Sequence, residues 1–223
     1  MIPEIRAVVY DFGGVLLSYD NVKPTCKKID ELLGLPVGTV VKEIVGQDFH
    51  DWLGPHRNMF LGNISIAEIE AGLLVEYLHE KYSLKEKHPI KPYSDALGGI
   101  NAKIIVPMLE TVKKVREKGL KTGLLTNNMF LDKDGVKSRL IIDTAHFDVL
   151  IESCVEKVMK PQPEIYKMME DRLGLAPNQI LFLDDLQVNL DAAEARGWHT
   201  ILVEPFDVAP AVQKLLEAIG ESS

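Results

Sequence analysis

Six polar residues of this 223-residue chain have types and positions that could serve one chemical reaction. Each lies at the end of a predicted β-strand or in the loop beyond it: Asp11, Thr126, Asn127, Lys160, Asp184 and Asp185. In an open parallel sheet, ligands bind outside the carboxyl ends of the strands, so the six side chains are expected to share one site. One such aspartate alone would indicate little, because aspartate commonly begins a turn.

The combination of residues is suited to phosphoryl transfer through a covalent intermediate. A carboxylate that attacks phosphorus needs a cation to offset the repulsion between two anions. Asp11 is the predicted nucleophile, and Mg²⁺, which prefers hard oxygen ligands, is the predicted cofactor. Its predicted ligands are Asp11, Asp185 and the backbone carbonyl of Gly13. Asp184 is predicted either as a further ligand or as a hydrogen-bond acceptor beside the ion.

Three further residues are predicted to bind the oxygens of the phosphate group. Thr126 offers a hydroxyl and Asn127 an amide to the non-bridging oxygens, and Lys160 offers a catalytic positive charge. Simpler interpretations stay open for two of them. Thr126 could be a structural cap, and Lys160 could be a solvated surface lysine.

The elements that must position these residues alternate between strand and helix patterns. Short apolar runs bounded by turn residues predict strands at residues 5–11, 120–126, 147–151, 180–184 and 199–203. Amphipathic patterns predict helices at residues 102–118, 164–173, 188–196 and 209–219. Fully apolar strands separated by helices are typical of a parallel sheet covered on both faces. The predicted fold class is therefore α/β, with a doubly wound parallel sheet.

The segment that follows the first strand has a different character. Residues 20–99 contain several helical patterns and no convincing strand pattern. The clearest helix begins at Ser65, which has capping-box spacing with Glu68 and is followed by an apolar stripe. The sequence therefore predicts a core made of residues 1–18 and 100–223, with an inserted helical subdomain at residues 19–99.

Composition and charge narrow the classes of partner. The chain carries 33 acidic and 25 basic side chains, a formal net charge of −8, and no Lys/Arg cluster, so nucleic acid is not an expected partner.

Cys26 and Cys154 lack the spacing of zinc ligands and are predicted to be free thiols. The sequence shows neither the apolar run of a signal peptide nor a stretch long enough to span a bilayer. A cytoplasmic location is the resulting expectation.

Four ordered motifs resemble those of the haloacid dehalogenase-like (HAD) hydrolase superfamily. They are Asp11-Phe12-Gly13-Gly14-Val15, Thr126-Asn127, Lys160-Pro161 and Phe182-Leu183-Asp184-Asp185. Within the superfamily, the chain is similar to the phosphatase domain of soluble epoxide hydrolase and to the N-terminal domain of an acyl-CoA dehydrogenase family member, especially over residues 146–154 and 160–167. The resemblance implies a Rossmann-like core with a helical cap inserted after the first motif. It also implies Mg²⁺-dependent hydrolysis of phosphate monoesters through an aspartyl-phosphate.

One position departs from the family pattern. Phosphatases that this chain resembles usually carry a second aspartate two residues after the nucleophile, which serves as general acid to the leaving alcohol and then as base for water. That position is Gly13 here, so slow turnover is expected unless another group substitutes. The candidate substitutes in the helical segment are His50, Asp51 and His56. A leaving group of low pKa, such as a sugar hemiacetal oxygen or an acyl phosphate, would need the acid least.

The sequence is compatible with several functions. The leading one is a Mg²⁺-dependent phosphatase that acts on a small phosphorylated metabolite. The second is a weak or inactive module of the same fold that binds a phosphorylated ligand, because Gly13 replaces the acid/base residue. Carbon–halogen hydrolysis ranks last, since the adjacent Asp184 and Asp185 suit a metal that this chemistry does not need. Dinucleotide binding is excluded because Gly13-Gly14 does not continue into a GxGxxG pattern.

Overall fold

The computed structural model describes residues 5–97, 102–136 and 142–221. The β-strands are β1 (Ala7–Tyr10), β2 (Lys121–Thr126), β3 (Val149–Glu152), β4 (Ile180–Asp184) and β5 (His199–Leu202). The α-helices are α1 (Val22–Leu33), α2 (Thr39–Val45), α3 (Gln47–Leu53), α4 (Ile66–Glu68), α5 (Leu74–Tyr82), α6 (Pro92–Leu97), α7 (Val106–Glu117), α8 (Ser153–Glu156), α9 (Pro163–Leu173), α10 (Gln187–Glu194) and α11 (Ala209–Ala218). A π-helical turn (Ile69–Leu73) joins α4 to α5, and short 3₁₀ turns lie at Met59–Leu61, Thr144–His146 and Pro177–Gln179.

The five strands form one parallel sheet in the order β3-β2-β1-β4-β5. The central strand β1 pairs its last residue, Tyr10, with Leu124 of β2 and Leu183 of β4. All residues of β1 and β4 are buried, as is typical of strands covered on both faces. The predicted α/β fold class, a Rossmann-like doubly wound parallel sheet, is confirmed.

Helices pack against both faces of this sheet. Val9 of β1 belongs to a buried cluster with Tyr166 of α9 and Leu190 of α10. The next residue, Tyr10, points to the other face, where its hydroxyl lies 3.1 Å from Thr111 Oγ1 of α7. This alternation follows from the pleat of the strand, which directs successive side chains to opposite sides.

The predicted boundaries agree with the observed ones except at the start of one helix. The helix predicted at residues 102–118 begins at Val106, with Pro107 as its second residue. Proline is favoured in the first turn of a helix, because the N–H groups there have no partner within the helix. Each of the other strands and helices predicted for the core differs from the observed one by at most two residues at either end.

The chain divides into two compact units. The first, the core unit, contains Met1–Ser18, Lys103–Asn127 and Ile142–Ser223, and the second, the helical unit, contains Tyr19–Ala102 and Asn128–Ile141. All strands of the described residues lie in the core unit, whereas α1 to α6 lie in the helical unit. No helix within the described ranges is long and apolar enough to cross a membrane. The role of residues 19–99 as an inserted domain stays a prediction.

The start of α4 contacts residues 130 and 131, which belong to the helical unit, although the sequence predicted residues 128–141 as part of the core. Ser65 and Glu68 form the predicted capping box, in which the Ser65 N–H donates to Glu68 Oε2 at 2.9 Å. The first N–H groups of a helix have no acceptor within it. Those of Ile66 and Ala67 donate to the carbonyl oxygens of residues 130 and 131, at 2.9 and 3.2 Å.

The two cysteines are buried free thiols, as the sequence predicted. Burial raises the pKa of Cys26 to about 11 and that of Cys154 to about 12, with a further rise from a nearby carboxylate in each case. Both side chains therefore stay protonated and pack as small apolar groups.

Candidate active site

Asp11 is placed at the carboxyl edge of the sheet by the strand that precedes it. Its backbone N–H donates to the Leu183 carbonyl oxygen at 2.8 Å, which extends the pairing of β1 and β4 by one residue beyond Tyr10. The residue is 8% exposed, and its Oδ1 accepts a hydrogen bond from the Phe12 N–H at 2.7 Å. The carboxylate is therefore fixed where the central strand ends, with a small part of its surface open to solvent.

The turn after Asp11 is closed by backbone hydrogen bonds. The Phe12 carbonyl oxygen accepts from the Leu17 N–H at 2.7 Å. Gly14 has φ = 74°, a conformation that glycine adopts without steric cost, whereas Gly13 lies outside this left-handed region. Gly13 is partly buried and offers only backbone atoms at the position two residues after Asp11.

Lys160 lies between two carboxylates and is 1% exposed. Its Nζ is 2.9 Å from Asp11 Oδ1 and 2.6 Å from Asp184 Oδ2. The Nζ also lies 5.3 Å from the centroid of the Phe182 ring, whose face attracts cations. Burial opposes the charge on Lys160, but the two carboxylates raise its pKa, so the side chain is an ammonium ion. The interpretation of Lys160 as a solvated surface lysine is therefore wrong.

Asn127 holds the backbone of Lys160. Its Oδ1 accepts from the Lys160 N–H at 2.8 Å, and its Nδ2 donates to the Lys160 carbonyl oxygen at 3.0 Å. The Lys160-Pro161 peptide bond that follows is cis. Because Nδ2 carries two N–H bonds, one of which makes this contact, the predicted contact of Asn127 with a phosphate oxygen stays a prediction. The structure adds a positioning contact that the sequence did not indicate.

Asp184 is fully buried, and donors surround its carboxylate. Oδ2 accepts from Lys160 Nζ, and Oδ1 accepts from the Leu186 N–H at 2.8 Å. Asn189 Nδ2 lies 3.0 and 3.1 Å from the two oxygens. Since both oxygens already accept hydrogen bonds, Asp184 is better placed to hold Lys160 than to bind a metal directly. Of its two predicted roles, this geometry favours that of the acceptor.

Asn189 is the residue of this cluster that the sequence analysis missed. It is 2% exposed, and its backbone carbonyl oxygen accepts from the Tyr166 hydroxyl at 2.9 Å. The available signal was its spacing: Asn189 follows Asp184 by five residues, in the first turn of α10, the helix after β4. Helical side chains tilt toward the N-terminus of their helix, which directs Asn189 back to the strand end.

Three carboxylates share this edge of the sheet. One oxygen from each of Asp11, Asp184 and Asp185 lies within 4.8 Å of the others. Burial raises the pKa of Asp11 to about 6, against the opposing effect of Lys160, and Asp184 adds to the rise. Burial and the charges of Asp11 and Asp184 raise the pKa of Asp185 to about 7. A single ammonium ion does not compensate three carboxylates, so the cluster favours a further cation.

The oxygen donors of this cluster fit Mg²⁺. This ion takes hard oxygen ligands and usually one or two protein carboxylates, with water or phosphate oxygens completing its shell. Asp11 and Asp185 are the two carboxylates not already surrounded by several donors, and Gly13 is the adjoining backbone position. A site that combines a cation with Lys160 could bind and polarise a phosphate group.

The remaining predicted site residues fall in both units. Thr126 ends β2 and is 3% exposed, beside Asn127. Its contact with phosphate and its alternative role as a cap both stay predictions. His50, Asp51 and His56 lie in the helical unit, where the first two line a pocket of about 290 Å³. Burial lowers the pKa of His50, and the acid role of these three residues also stays a prediction.

The parallel sheet and the strand-end cluster together define a class of hydrolase. The family model of haloacid dehalogenase-like hydrolases matches residues 5–197 of the chain. The chain therefore belongs to the haloacid dehalogenase-like hydrolases, and the resemblance found in the four sequence motifs is confirmed.

Individual relatives agree with this assignment. The chain is 32% identical over 222 residues to acyl-CoA dehydrogenase family member 10 of Mus musculus, covering 96% of this chain and 19% of that protein. It is 33% identical over 220 residues to bifunctional epoxide hydrolase 2 of Sus scrofa, covering 92% of this chain and 37% of that protein. The chain thus spans well under half the length of either relative.

A solved structure shows the same fold over nearly the whole length of its chain. The HAD family enzyme bt-2542 of Bacteroides thetaiotaomicron, in complex with magnesium and inorganic phosphate, is 21% identical to this chain with a TM-score of 0.58. The match covers 93% of this chain and 98% of that one. At this identity the likeness establishes the fold.

Proposed function

We propose that this protein is a Mg²⁺-dependent phosphatase that hydrolyses a small phosphate monoester through an aspartyl-phosphate intermediate. The observation that carries this proposal is the buried cluster at the carboxyl edge of the sheet. There Asp11 lies 2.9 Å from the Lys160 ammonium and within reach of two further carboxylates. The magnesium and phosphate bound by the bt-2542 enzyme support the same chemistry for this fold.

Each residue of the cluster has a proposed role in the reaction. A carboxylate oxygen of Asp11 attacks phosphorus and displaces the alcohol of the substrate, and water then hydrolyses the aspartyl-phosphate. Lys160 supplies a fixed positive charge beside the nucleophile, where it stabilises the negative charge of the transferring group. Thr126 and Asn127 are proposed to contact the non-bridging oxygens of the phosphate.

The proposed Mg²⁺ ligands are Asp11, Asp185 and the backbone carbonyl of Gly13. A bound Mg²⁺ supplies the charge that lets an anionic carboxylate approach an anionic phosphate. Asp184 is proposed to hold Lys160 in place through its contact of 2.6 Å with Nζ. Asp184, whose two oxygens both accept hydrogen bonds, is thus assigned to hold Lys160, and Asp11 and Asp185 are assigned to the metal.

A second candidate function is favoured by one observation, the absence of a side chain at Gly13. Without the usual acid/base group, the same site could bind Mg²⁺ and a phosphorylated ligand with negligible turnover. The protein would then be a binding or regulatory module. The two candidates differ in whether aspartyl-phosphate forms and is hydrolysed.

The proposed partner is a small phosphorylated metabolite. Nucleic acid is not an expected partner, given the net charge of −8. The function of the helical unit as a cap over the site and the cytoplasmic location both stay predictions.

The proposal is tested by phosphate release from para-nitrophenyl phosphate and from a panel of phosphorylated metabolites, with Mg²⁺ and with EDTA. Asp11→Asn keeps the size of the side chain but removes the nucleophile, so turnover should fall by about 10⁴-fold or more. Asp171→Asn, the same change at an exposed position of α9, is the matched control and should leave turnover unchanged.

The outcomes separate the two candidates. Metal-dependent turnover that is lost in Asp11→Asn supports the phosphatase. Turnover that survives in Asp11→Asn contradicts the assigned nucleophile. A protein that binds Mg²⁺ but releases no phosphate from any member of the panel is the binding module.

A further inference from the structure

Three charged side chains in the described part of the core unit lie close to Asp11, and each has a partner or a proposed ligand. Lys160 is an ammonium ion paired with carboxylates on two sides, at 2.9 and 2.6 Å. Asp184 accepts hydrogen bonds on both oxygens. Asp185 is the proposed Mg²⁺ ligand. In the proposed arrangement these three side chains serve in ion pairing and metal binding, and Gly13 adds no side chain that could exchange a proton with the leaving group or with water.

The two halves of the proposed reaction depend on proton transfer to different degrees. In the first half, a bond forms between an Asp11 oxygen and phosphorus while the bond from phosphorus to the leaving oxygen breaks, and the electron pair stays on that oxygen. A weakly basic oxygen, such as that of a carboxylate or a nitrophenolate, departs without a proton. In the second half, the oxygen of water bonds to phosphorus while the bond from phosphorus to the Asp11 oxygen breaks, which releases the Asp11 carboxylate. The proton of the water passes to the product phosphate or to the solvent. That step benefits from a general base whatever the substrate was.

We propose that the phosphorylated form of Asp11 accumulates during turnover, and that the site takes its phosphate from donors with a weakly basic leaving group, such as acyl phosphates. This inference rests on the proposed phosphatase function. A general acid or base typically contributes about 10² to 10⁴ in rate. For such donors the missing group at Gly13 therefore slows the hydrolysis of the aspartyl-phosphate by about that factor and leaves its formation nearly unaffected. In the presence of the donor, the protein is then mostly in its phosphorylated form.

The test measures the intermediate directly. The full chain with Mg²⁺ is mixed with para-nitrophenyl phosphate, and the release of nitrophenolate is followed from the first turnover. We expect a burst of about one nitrophenolate per protein molecule, followed by a slow steady rate. Mass spectrometry of the quenched protein should show one added phosphoryl group, located on the peptide that contains Asp11. Glycerol phosphate, whose leaving alcohol is strongly basic, should give neither the burst nor the adduct.

Two substitutions at Gly13 form a matched pair. The backbone there lies outside the left-handed region, so a side chain introduces no backbone strain. Gly13→Asp restores a group that can carry the proton, so the burst should disappear and steady turnover of glycerol phosphate should rise by about 10²-fold or more. Gly13→Asn has nearly the same size but cannot carry the proton. The adduct should therefore still accumulate in Gly13→Asn, whatever its steady rate.

The result on the parent protein decides the inference even if neither variant folds. Steady turnover without a burst and without an adduct overturns the inference and leaves the phosphatase standing, because another group then supplies the proton. A burst that persists unchanged in a folded Gly13→Asp protein also overturns it. An absence of both nitrophenolate release and adduct, equal to that of Asp11→Asn, overturns the proposed function itself.

Discussion

Glu43 in the helical unit and Asp11 in the core unit are both buried carboxylates, but their surroundings differ. Glu43 is 2% exposed and accepts hydrogen bonds from Lys81 Nζ at 2.7 Å, from the Tyr82 hydroxyl at 2.5 Å and from the Tyr77 hydroxyl. Burial by itself would raise the pKa of Glu43, but these three donors outweigh it and lower the pKa to about 2. One carboxylate here has three donors.

In the core the balance of charge is different, because three carboxylates lie around one ammonium ion. The pKa of Asp11 rises to about 6 and that of Asp185 to about 7, from an ordinary value of 3.8. A buried carboxylate with several hydrogen-bond donors is compatible with a stable fold, whereas buried carboxylates in excess of the nearby positive charge destabilise it until a cation binds. The comparison therefore separates a structural cluster around Glu43 from a cluster around Asp11 that is arranged for a ligand.

The largest change in the free energy of unfolding should come from removing the ammonium ion of the core cluster. Lys160→Met keeps most of the side-chain volume but leaves Asp11 and Asp184 unpaired at a buried position. The free energy of unfolding should fall by about 3–5 kcal/mol, the usual cost of breaking a buried ion pair from one side. Denaturant unfolding measures it. Lys167→Met removes an exposed lysine of α9 as the control, and its effect should stay below about 1 kcal/mol.

If Lys160→Met unfolded like the parent protein, the ammonium ion would not be what holds the carboxylates together. The core carboxylates would then not depend on nearby positive charge, and the proposed difference between the two clusters would be wrong.

A smaller loss of stability is expected from a substitution at Glu43 in the helical unit. Glu43→Gln removes the charge but keeps the shape, so the buried Tyr77 hydroxyl and the more exposed Lys81 ammonium lose their charged acceptor. We expect the free energy of unfolding at pH 7 to fall by about 1–3 kcal/mol. Glu31→Gln, at an exposed site of α1, is the control and should have little effect. A stability equal to that of the parent would contradict the structural role of Glu43.

The pH dependence of this effect has a defined sign. The pKa of Glu43 in the folded protein is about 2, below its ordinary value of 4.5. Its contribution to stability is therefore fully present above pH 4.5 and is lost as the pH falls through about 2. The difference in stability between the parent protein and Glu43→Gln should shrink over this range. A difference that stayed constant would show that the charge of Glu43 is not its source.

The smallest predicted change in the free energy of unfolding is an increase, and it is expected from a substitution at Asp185. The pKa of Asp185 in the folded protein, about 7, lies above its ordinary value of 3.8. The folded state thus binds the extra proton, and the stability of the metal-free protein falls as the pH rises from about 4 to 7. Asp185→Asn removes this loss and should raise the free energy of unfolding at pH 8, in EDTA, by about 1 kcal/mol.

The same variant should respond less to Mg²⁺, since it lacks a proposed ligand. Thermal unfolding with and without Mg²⁺ measures both properties, and Asp191→Asn on α10 is the control. A metal-free Asp185→Asn protein that is less stable than the parent would show that Asp185 contributes to the fold, as Glu43 does.

Much of the core fold could be predicted from local sequence patterns. The strand predicted at residues 180–184 coincides with β4, because an apolar run of that length between turn residues has few other structures open to it. The start of α7 was placed four residues too early, at 102 instead of Val106, since apolar periodicity does not reveal where a helix begins. The Ser65–Glu68 capping box was predicted correctly because its contacts are local.

The polar clusters were predictable to different degrees. The sequence indicated that Asp11 and Asp185 belong to one site, because residues at the carboxyl ends of parallel strands meet at one edge. The contact of Asn189 with Asp184 was missed, although the spacing of the two residues was a signal for it, and nothing in the sequence indicated that Asn127 holds the backbone of Lys160. The cluster around Glu43 was missed entirely, since its partners lie more than 30 residues away along the chain.

The sequence by itself determined the order of the elements, the fold class and the residue types available for chemistry, including the glycine at position 13. Those properties depend on local periodicity and on the rule that parallel strands end together. Only the tertiary structure decided how many hydrogen-bond donors surround each buried carboxylate. The pKa of a buried group depends on distances of a few ångströms between residues far apart in sequence, and those distances exist only once the chain has folded.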